Sequence, residues 1–66
     1  MRNQREDTNI QRIAQDLISQ YADEAELIAA GHADTMLDVG DVEAFETWRT
    51  VMSVVRVLRA KEQFAP

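Results

Sequence analysis

The sequence predicts an all-α fold, a three-helix bundle with helices over about 8–21, 23–39 and 41–62 of its 66 residues. Three observations predict it. Apolar residues recur at spacings of three and four in three separate stretches, the period of a helix buried along one face. The phase of that recurrence resets between Tyr21 and Asp23. Gly40-Asp41 then sets a helix-ending residue directly before a helix-starting one.

Residues 1–6 are polar and aperiodic, and a loose arm is expected there. Thr8-Asn9-Ile10-Gln11 fits a capping box, in which the Thr8 hydroxyl accepts from the third helical N–H and Gln11 reaches back to the cap. The first helix follows, with Ile10, Ile13, Ala14, Leu17, Ile18 and Tyr21 on one face. A break near Tyr21–Asp23 is expected although no Gly or Pro marks it. Continuing the first stripe would require an apolar residue at Glu24, and the phase restarts at Ala25. Asp23 is the expected N-cap of the second helix, with Glu24 and Glu26 at the positive end of its dipole.

The second stripe runs Ala25, Ile28, Ala29, His32, Ala33, Met36, Leu37. Gly31 lies within it, at about 1 kcal/mol relative to Ala. It either faces solvent or permits a close helix crossing. Gly40 suits the left-handed conformation that ends a helix, and Asp41 caps the next at once. So short a connection makes the second and third helices neighbours. The third stripe is Ala44, Phe45, Trp48, Val51, Met52, Val55 and Leu58, and Arg56, Arg59 and Lys61 suit the negative dipole end. Residues 63–66 are expected to fray. Trp48 and Phe45 are the largest members of the expected core, and Trp48→Ala is expected to cost roughly 3–5 kcal/mol. Leu27, Val54 and Val57 fall off the stripes and are candidates for an exposed apolar face.

A chain of this length is expected to form one domain over 1–66, with a core that supplies only about 3–5 kcal/mol unless something assists it. Cysteine is absent, so neither disulfides nor thiolate metal sites can assist. Tight helix packing or a dimer remains. No apolar run approaches the ~18–20 residues of a membrane span and no signal-peptide pattern opens the chain, so the expected compartment is the cytoplasm of a bacterium or its virus. The net charge is −5 and unevenly spread. Asp23 to Glu46 holds Asp23, Glu24, Glu26, Asp34, Asp38, Asp41, Glu43 and Glu46 with no Lys or Arg, whereas Arg49 to Lys61 holds only bases. An acidic middle disfavours contact with phosphate backbones.

Candidate chemistry is sparse. His32 is the only histidine. Asp34, two residues on, projects about 200° away on a helix of 3.6 residues per turn and cannot act as its partner. His32 therefore reads as a boundary residue at the core edge. Asp38-Val39-Gly40-Asp41-Val42-Glu43 lacks the oxygen spacing of a calcium loop and reads as a solvated acidic turn. A helix-turn-helix would open its recognition helix with Asp41, Glu43 and Glu46, three acids where base edges would lie. No catalytic residue, cofactor or metal is expected.

Ala14, then Ala29-x-x-His32-Ala33-Asp34-x-x-Leu37-x-x-Gly40-Asp41, then Trp48, resembles a group of short helical alphaproteobacterial proteins of unassigned activity. The resemblance covers about Ile10 to Leu58, and His32 stands where those proteins tend to carry Arg. It implies a helical domain and supplies no function.

The expected function is thus a non-enzymatic protein–protein interaction module. Its partner is another protein or a second copy of the chain, met through Leu27, Val54, Val57 and the acids Asp34, Asp38, Glu43 and Glu46. The alternative is an anti-CRISPR-like inhibitor of a bacterial defence system, borne by a phage or mobile element, whose acidic surface mimics nucleic acid or forms the binding face. A small transcriptional regulator is third. Membrane is excluded among partners and nucleic acid is disfavoured.

Overall fold

The computed structural model describes residues 3–64, with side-chain surroundings for 9–62. The described chain is all-helical. Helix α1 spans Asn3–Tyr21, a single 3₁₀ turn spans Ala22–Glu24, α2 spans Ala25–Asp38 and α3 spans Val42–Phe64. The most extensive packing is between α2 and α3, and α1 touches both. Arg56 bonding to Glu26 and Trp48 stacking on His32 set α2 and α3 antiparallel.

Both ends correct the sequence reading. Helix α1 already includes Asn3–Asp7, so Thr8 is an interior residue and not a cap, and residues 3–6 are no loose arm. Gln, Arg and Glu are good helix formers. Gln63 and Phe64 likewise continue α3 instead of fraying. Residues 1, 2, 65 and 66, the remainder of the expected arm and tail, lie outside the described residues.

The expected break is present, but its construction differs. Helix α1 stops at Tyr21 because Ala22 takes a left-handed φ of +49°. That conformation costs an L-residue roughly 1–2 kcal/mol and normally calls for glycine. Asp23 does not cap α2: the N-cap position is Glu24, with no side-chain hydrogen bond. Asp23 is engaged instead by Arg59 of α3.

The core is narrow and built from small residues. Ala14 of α1, Ala25, Ala29 and Ala33 of α2, and Val51 and Val55 of α3 are the buried apolar side chains. Alanines every fourth residue present a smooth strip against which a neighbouring backbone can come close. Among the described residues, no side chain larger than valine is fully buried in this core. Trp48 and Phe45 are only half-buried, and Val51 and Val55 are the largest fully buried side chains. Trp48 still packs against the core, so Trp48→Ala is expected to destabilise towards the lower end of the roughly 3–5 kcal/mol range. Ile10, Ile13, Leu17, Ile18, Met52 and Leu58 pack around the rim.

Two further assignments change, and one open alternative is decided. Val54 packs against the core and is not spare. Tyr21 and Leu37, placed on the stripes, are 41% and 53% exposed. Gly31 meets nothing within 4 Å of where a Cβ would stand, so it faces solvent and mediates no helix crossing.

The envelope measures 42 × 30 × 16 Å. A helix with its side chains is about 10–12 Å across, so the thin dimension holds at most two layers of helix. The accessible surface is 5044 Å² for a mass of 7.5 kDa. A compact monomer of that mass exposes about 4,250 Å². Of the six large apolar side chains left exposed among the described residues, Leu37, Val39 and Val42 lie together at one end, while Tyr21, Leu27 and Val57 are exposed elsewhere.

Candidate functional site

That end is the turn between α2 and α3. Its backbone is fully specified. The Gly40 N–H donates to the Leu37 carbonyl at 3.1 Å and the Asp41 N–H to the Met36 carbonyl at 2.8 Å, the paired bonds of a Schellman stop. Gly40 sits at φ +84°, which only glycine adopts without strain. Asp41 then caps α3: its Oδ1 accepts the Ala44 N–H at 3.1 Å and its carbonyl accepts the first helical bond, from the Phe45 N–H, at 2.9 Å. One aspartate thereby closes one helix and opens the next.

On this rigid turn stand three large apolar side chains with no cover. Leu37 is 53% exposed, Val39 69% and Val42 57%. They fall within six residues that reverse direction, so they share one tip. Asp34, Asp38, Asp41, Glu43 and Glu46 are exposed around them. Among the described residues none of these five acids pairs with a base within 4.0 Å. Thr35 and Thr47 donate their hydroxyls to the carbonyls of Gly31 and Glu43 in their own helices, at 3.0 and 3.1 Å. Beside the tip, Trp48 stacks on His32 with centroids 4.4 Å apart and planes 22° apart. The Arg49 guanidinium lies 5.7 Å from the Phe45 ring centroid.

The opposite end uses its charges internally. Arg56 donates to Glu26 Oε2 through Nε at 3.0 Å and Nη2 at 2.5 Å. Hydrogen bonding to Glu26, and then its negative charge, raises the already high Arg56 pKa. Arg59 reaches Asp23, and its other nitrogen lies 3.6 Å from Glu62. Together Ala22, Asp23, Glu26, Val55, Arg56, Arg59 and Ala60 line a shallow cleft. Its cations are already matched to carboxylates, so it offers an incoming anion little.

Of the sequence-derived site residues, Asp34, Asp38, Glu43 and Glu46 gather at the α2–α3 end. Leu27 and Val57 are exposed, at 69% and 53%, on the outer sides of different helices, and Val54 is turned inward. The sequence reading missed Leu37, Val39 and Val42. The signal was available for the valines: each flanks Gly40-Asp41, where a turn is ordinarily polar. His32 has an aromatic partner rather than a nucleophile or carboxylate. Among the described residues no three His, Asp or Glu side chains gather as a metal site would require, and no helix is long and apolar enough to cross a membrane.

No protein-family model matches the chain, and neither a curated protein nor a solved structure does.

Proposed function

We propose that the chain is a non-catalytic protein-binding module, a small three-helix bundle that presents the α2–α3 tip to another protein. One observation carries this reading: Leu37, Val39 and Val42 are more than half exposed on a locked turn, ringed by acids that the fold does not use for ion pairing. Exposed apolar groups grouped on a rigid frame and rimmed by polar ones are the usual anatomy of an interaction site. A cytoplasmic setting and kinship with the short alphaproteobacterial proteins are compatible with this reading.

The test is capture from host lysate on immobilised protein, comparing the parent with Val39→Ser/Val42→Ser. A defined set of polypeptides held by the parent and lost by the variant, with helicity unchanged by circular dichroism, is expected. Equal capture by both would refute the reading.

A second reading rests on the same unpaired carboxylates: the tip stands in for nucleic acid on a defence complex. It requires that Asp34→Asn/Asp38→Asn/Glu43→Gln abolish inhibition in a defence-blocking assay. It is contradicted if those substitutions leave inhibition intact.

A further inference from the structure

We infer that the tip's partner is a cationic amphipathic helix of another protein, an assignment that rests on the protein-binding reading above. Shape argues for a helix. Packed helix axes lie 8–10 Å apart, so side chains at the end of a two-helix hairpin span about the 10–12 Å width of one helix. Leu37 on the α2 side and Val39 and Val42 on the turn and α3 side give three anchors, enough for an i, i+3, i+7 row of apolar residues.

Charge argues for the sign. Asp34 and Asp38 precede the turn on α2, Glu43 follows it on α3, and all three are exposed. Among the described residues they have no internal base, whereas Arg56 and Arg59 at the opposite end are matched. A helix with Lys or Arg beside its apolar row would place cations against these acids. The same acids argue against a tip-to-tip copy and against polyanions. A second copy docking tip to tip would press acid on acid, and a nucleic acid or anionic bilayer would bring phosphates to carboxylates.

The experiment uses the full chain and an 18-residue Leu/Lys peptide with leucines at helical three- and four-residue spacing. One control is a scramble of the same composition, and a second carries Glu for Lys. Binding is followed by titration calorimetry and by backbone amide shifts. The amphipathic cationic peptide is expected to bind, with shifts concentrated from Leu37 to Phe45. Affinity should fall about tenfold as salt rises from ~50 to ~300 mM, where screening shortens the reach of the acids. Val39→Ser/Val42→Ser, and separately Asp34→Asn/Asp38→Asn/Glu43→Gln, should each weaken it tenfold or more; Asp41 is left in place because it caps α3. Equal binding of the scramble or the Glu peptide, shifts centred on the Arg56–Arg59 end, or no binding overturns the assignment. If lysate capture still depends on Val39 and Val42 in that event, the protein-binding reading stands and the partner's chemistry is wrong.

Discussion

The chain turns twice between helices, and the two turns are held by different forces. Between α2 and α3 the device is local. Gly40 takes the left-handed conformation, two backbone bonds close α2, and Asp41 caps α3, all within neighbouring residues. Between α1 and α2 it is tertiary. Ala22 takes the same kind of conformation without being glycine, Glu24 makes no capping bond, and the turn is held by contacts far along the chain: Asp23 to Arg59, Glu26 to Arg56, and buried Ala25 in the core. A self-sufficient turn leaves its side chains free for another task. A turn that leans on the core cannot spare them. The acids without an internal base accordingly gather at the Gly40 end, beside exposed Leu37, Val39 and Val42.

The contrast can be broken most strongly at Ala25. Ala25→Leu forces a larger side chain into the core beside the dependent turn and is expected to destabilise by about 1–3 kcal/mol, read by urea unfolding. At the other turn, Gly40→Ala is expected to destabilise by about 1–2 kcal/mol, because alanine must enter the left-handed region. Ala22→Gly should act in the opposite direction and stabilise by about 0.5–1 kcal/mol, the strain relieved less the entropy that glycine adds to the unfolded chain. Two substitutions that exchange the same two residues, with opposite signs in thermal melts, test whether both sites are left-handed. Gly31→Ala is expected to stabilise by about 0.5–1 kcal/mol, since its added methyl meets nothing. The smallest effect is expected for Arg59→Gln, a slight loss at low salt that disappears near 1 M, where the screening length is about 3 Å.

The same contrast explains what could be read in advance. Gly40-Asp41 announces itself because its chemistry is local and uses the residues that chemistry prefers. The break at Ala22 showed only as a phase reset, because a left-handed alanine has no signature and its supports are more than thirty residues away in Asp23–Arg59 and Glu26–Arg56. Periodicity identified Ala14, Ala29, Val51 and Val55 as inward-facing, but it could not report that Trp48 would sit at the rim. Leu37 illustrates the limit most clearly. It is in phase with the α2 stripe yet 53% exposed, because period records the side of a helix and not where the neighbouring helix ends. Of the site, the acids were visible as a charge run. Their apolar centre was hidden by assigning Leu37 to the core and reading Val39 and Val42 as connection.

Presentation of Leu37, Val39 and Val42 to a partner requires that the fold not depend on them. The most direct test is the unfolding free energy of Leu37→Ser/Val39→Ser/Val42→Ser against the parent, measured in urea on dilute protein. Each exposed substitution is expected to contribute within about 0.5 kcal/mol, with the m-value unchanged. A loss of more than about 3 kcal/mol, the scale of fully burying a single large apolar side chain, would place these residues in the core and contradict their presentation to a partner.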